Sequence, residues 1–176
     1  MTTLRTLAVL SLCALSGSAL AQDAPDSPVI ASLRGLHGVT SGNLLATAEM
    51  LDDEMYAYRP TEEVRSAGQI LAHVASAQYA FCSAAAGETN PNGEALEETL
   101  SAKDDIVAAL GDAFAYCEGV YDAMTDTQGA ELRTVFGQQM AASGVLAFNT
   151  AHNYEHYGNL VTYMRINGLT PPSSQP

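Results

Sequence analysis

Along most of the chain, apolar residues recur at three- and four-residue steps, the period of helices that bury one face. From Val29 onward, Leu33, Leu36, Thr40, Leu44, Ala48, Leu51 and Met55 keep that step. Tyr58-Arg59-Pro60 ends the run, because proline disfavours helical backbone in the residue before it. Ser66 suits the N-cap of a second helix, which carries Ile70, Leu71, Val74, Ala77, Tyr79 and Phe81 up to the terminator Gly87. Glu88 to Glu98 contains Asn90-Pro91-Asn92-Gly93 and reads, at least in part, as loop. Ser101 with Asp104 resembles a capping box for a third helix through Ile106, Leu110, Phe114, Cys117, Val120 and Met124. A polar stretch from Thr125 to Gly129 breaks it. The fourth helix is predicted to start between Phe136 and Ser143 and to end at Asn167-Gly168, where glycine can take a left-handed cap. No strand-like alternation, repeat or second domain is evident. The pattern predicts an all-α four-helix bundle over residues 29–170, with a linker at 22–28 and a tail at 171–176.

Met1 to Ala21 stands apart from this pattern. Arg5 and the amino terminus supply a positive start, Leu7 to Leu15 a short apolar core, and Ala19-Leu20-Ala21 a small-x-small cleavage signature. These features predict a signal peptide cut after Ala21 and a periplasmic or secreted protein. The apolar run is too short to span a bilayer, and no later stretch reaches about 18 uninterrupted apolar residues. Cys13 suggests a lipid anchor, but Leu12 precedes it where a small residue would be expected, so no membrane anchoring is predicted. Export leaves Cys82 and Cys117 as the remaining cysteines, and an oxidising compartment favours pairing them. Two buried free thiols on helix faces are the other reading.

Charge narrows the partners. Seven Lys and Arg stand against 20 Asp and Glu, a formal net charge of −13. Loss of Arg5 with the leader leaves six basic residues against all 20 acids, a net charge of −14. Binding a phosphate backbone requires a basic face, which this chain lacks, so no nucleic acid partner is expected. An anionic membrane surface is disfavoured for the same reason. The acids Asp52, Asp53, Glu54, Glu62 and Glu63 read as a solvated face near one end of the bundle.

Four histidines carry the remaining chemistry. His152 and His156 lie four apart on the fourth helix, so both rings can reach one point on the same face. A helix offers two nitrogen donors to a metal ion in this way, although such a pair also occurs as ordinary surface or interface residues. The segment also satisfies H-x-x-E-H, the inverted zinc-protease pattern, with Glu155 as its base. That mechanism needs a further ligand far downstream, and only twenty residues follow His156, with Arg165 the sole charged one among them. His73, near the start of the second helix, reads by itself as a satisfied core histidine.

The block Tyr58-Arg59-Pro60, then Ser66-Ala67-Gly68-Gln69-Ile70-Leu71-Ala72-His73, resembles the DinB-like (DinB/YfiT) superfamily of metal-binding four-helix bundles. A second block, from His152-Asn153-Tyr154-Glu155-His156 through Arg165, and the closing Gly168-Leu169-Thr170-Pro171-Pro172-Ser173 extend the resemblance over roughly residues 29–174. The resemblance implies an up-down-down-up topology, with His73, His152 and His156 as three metal ligands. It also implies dimerisation through helix faces, hence a homodimer. In that topology the second and third helices are parallel. Cys82 lies 16 residues past Ser66 and Cys117 lies 16 past Ser101, so both sit at one level, as a disulfide requires. His37 lies early on the first helix and His73 early on an antiparallel neighbour. Their offset of ten residues is roughly 15 Å, which leaves His37 outside the ligand set.

Three neutral nitrogen donors leave a coordination position open, as catalytic metal sites do. Imidazole suits several divalent transition metals, zinc or nickel foremost. Gln69, Asn149, Asn159 and Tyr163 share the histidine faces and could orient the ligand rings, or else serve as caps and bundle hydrogen bonds. Glu49 is the acid of the first helix nearest that level, and it reads more simply as solvated. The resemblance extends to thiol-dependent transferases and isomerases. The expectation is an exported metal-dependent enzyme, of hydrolase or small-molecule or thiol-transferase type, acting on a small molecule. A non-catalytic metal-binding or stress-response module is the alternative, and a bundle whose histidines do not meet is a third.

Overall fold

The computed structural model describes residues 26–93 and 95–175. The predicted leader Met1–Ala21, with Cys13, lies outside the described residues. Four long helices form the bundle: α1 (Pro28–Met50), α3 (Ala67–Ala86), α5 (Lys103–Ala123) and α7 (Ala142–Ile166). Between them lie the short helices α2 (Asp53–Ala57), α4 (Leu96–Thr99) and α6 (Asp126–Gly129). A hairpin of β1 (Leu132–Val135) and β2 (Gln138–Ala141) precedes α7, and a 3-10 turn, Pro172–Ser174, follows it.

The contacts fix the direction of each helix. Cys82 and Cys117, late in their helices, are joined with Cα atoms 5.4 Å apart, and Ile106 early in α5 lies beside Gly68 early in α3, so α3 and α5 run parallel. Gln78 on α3 meets Asn149 and Asn153 on α7, while Arg65 just before α3 receives the Tyr163 hydroxyl from late α7, so α3 and α7 are antiparallel. Arg34 near the start of α1 reaches Asp122 near the end of α5. The bundle is therefore up-down-down-up, as the sequence analysis expects.

Local chemistry explains most element boundaries. Ser66 and Gln69 form a reciprocal capping box at the start of α3, and Gly87 closes that helix at φ 75°. The predicted first helix is instead broken in two. Its backbone turns extended at Leu51, and the Asp52 carboxylate accepts from the Met55 N–H at 2.9 Å, starting α2 afresh. Gly68 permits this arrangement, since a Cβ there would lie 3.0 Å from the Tyr56 ring. The expected capping box at Ser101 and Asp104 does not form. Helix α5 starts at Lys103, and Ala102 provides no side-chain cap. Pro28 belongs to α1 rather than to the linker, occupying a first-turn position where its missing N–H costs nothing. The tail is also more ordered than its composition suggests, because the Ser173 N–H donates to the Tyr157 hydroxyl at 2.9 Å.

The hairpin is the element that periodicity missed. Its strands span four residues each, and Phe136-Gly137 joins them with both φ angles positive, 53° and 73°. Two such central residues make a turn whose twist matches that of a hairpin. Phenylalanine is an uncommon occupant of that region. Its ring is largely exposed and makes edge contacts with Phe81 and Phe148, at centroid distances of 6.0 and 5.8 Å.

Two apolar clusters fill the bundle. One is built around Leu44, Leu71, Leu110 and Leu160, and the other around Ile30, Phe81, Tyr121 and Leu146. Between these levels runs a buried polar layer of His37, Gln78, Asn149 and Asn153. Among the described residues, no helix is long and apolar enough to cross a membrane.

Candidate metal centre

Helix α7 places His152 and His156 one turn apart on one face, as their spacing requires. The capping box fixes where α3 begins, and thereby the level at which His73 faces α7. The three rings meet. Nε2 of His152 lies 3.2 Å from Nε2 of His73 and 3.0 Å from Nε2 of His156. One ligand nitrogen from each ring lies within 4.8 Å of the other two. Tetrahedral coordination with Zn–N bonds of about 2.0–2.1 Å would set neighbouring nitrogens roughly 3.3 Å apart. The observed spacing fits one ion held by three Nε2 atoms.

Burial and mutual proximity keep the rings of His152 and His156 neutral. The pKa of His152 falls to about 4, first through desolvation and then through the neighbouring His156 and His73. That of His156 also falls to about 4, through desolvation and then through His73 and Arg65. Neutral imidazole is the form that binds metal.

The groups that orient the rings differ from those expected. His73 Nδ1 lies 3.2 Å from Glu97 Oε1, and Glu97 is gripped on both oxygens by the Arg65 guanidinium. Arg65 holds the Glu97 carboxyl below the usual range, with His73 adding to the effect. An anionic Glu97 accepting from Nδ1–H leaves the Nε2 lone pair of His73 facing the other rings, the carboxylate–histidine arrangement of many metal sites. The Nδ1 atoms of His152 and His156 are buried without a hydrogen-bond partner.

The residues predicted for ring orientation do something else. Gln69 is occupied by the capping box, its Oε1 accepting from the Ser66 N–H at 3.0 Å. Asn149 donates to Gln78 Oε1 at 2.8 Å and to the sulfurs of the Cys82–Cys117 bridge. Asn159 is exposed on the rim of a cleft beside His156, and no hydrogen bond links it to a histidine ring. The Tyr163 hydroxyl donates to the Arg65 carbonyl, which ties it to the same corner. Glu49 stands at the end of α1, where its carbonyl accepts from Lys103. His37 lies outside the triad. It is buried against Phe114 and Tyr121 and bonded to Gln78, with its pKa lowered mainly by desolvation.

Glu97 escaped the sequence reading because it comes from α4, a single turn inside a stretch read as loop. Helical periodicity says nothing about where such a turn docks. Phe81, an apolar position of the second predicted helix, also borders the site, its ring 5.5 Å from that of His152.

Residues 39–160, more than half of the sequence, match the DinB superfamily. The chain belongs to the DinB superfamily. Among DinB relatives, YjoA of Bacillus subtilis (strain 168) is 25% identical over 125 residues, covering 70% of this chain and 80% of YjoA. The crystal structure of YjoA superposes with a TM-score of 0.63 at 21% identity, over 84% of this chain and 96% of that one. A DinB-like protein from Bacillus cereus gives a TM-score of 0.70 at 20% identity, over 81% and 95% of the two chains. A mycothiol-dependent maleylpyruvate isomerase gives 0.62 at 18% identity, over 74% of this chain and 60% of the isomerase. These likenesses establish the DinB bundle as the fold of this chain.

Proposed function

We propose that this protein is an exported metalloenzyme in which His73, His152 and His156 hold one divalent transition-metal ion, zinc or nickel foremost. The observation that carries the proposal is the convergence of three Nε2 atoms from two helices at near-coordination spacing. A bound ion of this kind supplies Lewis acidity at the coordination positions the protein leaves free. The chain's own groups prepare the site around it. Glu97 holds the proton on His73 Nδ1, and Arg65 holds Glu97, so that ring cannot rotate its donor nitrogen away. The Phe81 ring packs edge-on against that of His152 on one side of the site. The polar layer of Gln78, Asn149 and Asn153 stiffens the wall of α7 behind the rings.

The reaction class proposed is hydrolysis or transfer of a small molecule or thiol. The thiol option is favoured by the likeness to a mycothiol-dependent isomerase. The protein would act in the periplasm or outside the cell after cleavage behind Ala21, without nucleic acid or a membrane anchor, as a monomer or homodimer. The alternative, a non-catalytic metal-binding or stress-response module, shares the same site.

Metal analysis of untagged protein tests the shared part. About one ion per chain is expected, lost in His152→Ala. A protein from metal-replete expression that carries no ion would overturn both readings. A screen of esterase, amidase and thiol-transfer substrates then separates them, since metal-loaded protein inert on all of them would favour the module.

A further inference from the structure

Large aromatic side chains bury most of their surface in a folded protein, yet two phenylalanines beside the candidate metal centre do not. Phe136, at the tip of the hairpin, is 73% exposed, and Phe148 on α7 is 43% exposed. Phe81 is buried against both. The three rings meet edge-on in every pairing, with centroids 5.2–6.0 Å apart and planes 69–75° apart. The array does not end with them. Phe81 also meets the ring of His152 at 5.5 Å, and Phe148 lies one turn before His152 on the same helix face. A continuous aromatic ledge therefore runs from one of the three converging histidines out to solvent. The hairpin supplies a second, independent observation. Phe136 holds its ring there from φ 53°, a backbone region that disfavours bulky side chains and that Gly or Asn occupies far more easily. Strain of this kind is kept where a site uses it, and burial does not explain it here, because the ring stands mostly in solvent.

What covers the ledge follows from where it leads. A small molecule anchored at the histidines and extending past His152 meets Phe81 and Phe148 first, then Phe136. Rings that meet edge-on present both faces and edges, and a further aromatic group gains more from them than an equally apolar aliphatic one. Small-molecule sites commonly combine such apolar and aromatic walls with a few polar anchors. We infer that Phe81, Phe136 and Phe148 form a specificity subsite for the aromatic portion of a small-molecule substrate whose polar end reaches the histidines. The inference rests on the proposed metal reading and deepens it, naming the substrate class as one that carries an aryl group. Phe136 is its main specificity residue, since the hairpin accepts a strained turn in order to present that ring.

Three hydroxamates with one metal-binding head serve as probes: acetohydroxamate, 4-phenylbutyrohydroxamate and 4-cyclohexylbutyrohydroxamate. Each is titrated into cobalt-loaded protein while the visible absorption of the metal is followed. The deciding quantity is the phenyl-to-cyclohexyl affinity ratio in wild type against Phe136→Asn, which cancels the head group and the apolar bulk. Asparagine suits the left-handed turn, so this variant removes the ring and keeps the hairpin. The ratio is expected to be about fivefold higher in wild type, the size of one aromatic pair's preference. Acetohydroxamate, which lacks the apolar arm, is expected to bind both proteins equally, and Phe136→Asn to melt no lower than wild type. A purely structural Phe136 would give the reverse, a lower melting temperature with the ratio unchanged. An unchanged ratio overturns the inference and leaves the metal reading standing. If light scattering then shows a wild-type dimer and a monomeric variant, the ledge belongs to a second copy of the chain instead. Failure to take up cobalt overturns the metal reading, and cobalt that no hydroxamate perturbs overturns its open position, the inference falling with either. Should Phe136→Asn fold poorly, Phe148→Ala repeats the comparison with the same expected fall in the ratio.

Discussion

At the scale of single residues, the site is a balance between burial and coordination. His152 and His156 have their pKa lowered from 6.5 to about 4. In the unfolded chain these rings bind protons that the folded protein refuses, so folding stability depends on pH. Their contribution is complete above about pH 6.5 in the metal-free protein and is lost as pH falls from there through about 4. Denaturation of metal-free protein at stepped pH should therefore show stability dropping across that window, and His152→Ala/His156→Ala should flatten the drop. Glu97 acts through His73. Replacing it with glutamine removes the anionic acceptor for Nδ1–H and the partner of Arg65, and should weaken metal affinity by about 10- to 100-fold. Glu49→Gln should leave affinity unchanged, and competition with a chelator reads both. The pair on α7 was legible in the sequence because four-residue spacing is a direct statement about one helix face. Glu97 was not, since its place depends on how a loop returns to the bundle.

At the scale of elements, the long helices and most of their ends followed from caps and periodicity. The failures have separate physical causes. The break at Leu51–Asp52 interrupts an unbroken apolar rhythm, because a side-chain cap at Asp52 competes with continuation of the helix. The hairpin is too short and too exposed to show alternation, with Leu132 and Phe136 facing solvent. Its turn relies on Gly137 at φ 73°, where a Cβ would meet nothing within 4 Å. Gly137→Ala thus isolates the cost of left-handed backbone for a residue with a side chain. Thermal unfolding should show a loss of about 1–2 kcal/mol. The bridge between α3 and α5 closes a separation of 35 residues. Chain-entropy arguments value it at roughly 3–4 kcal/mol, so Cys82→Ala/Cys117→Ala should unfold earlier in denaturant by that amount. Its level across two parallel helices could be reasoned from the sequence only once the resemblance supplied the topology.

For the molecule as a whole, an acidic bundle carries a site of three converging imidazole rings. The bridge ties α3 to α5, while the polar layer of Gln78, Asn149 and Asn153 locks α3 to α7, the two helices that carry the ligands. The ring geometry is therefore a property of the packed bundle rather than of a mobile loop. X-ray absorption on the zinc- or nickel-loaded protein tests this most directly. The account predicts three imidazole nitrogens per ion at about 2.0–2.1 Å for zinc, with at least one further light-atom position not supplied by the protein. An ion showing no imidazole scattering, or one whose every position is filled by protein side chains, would contradict it.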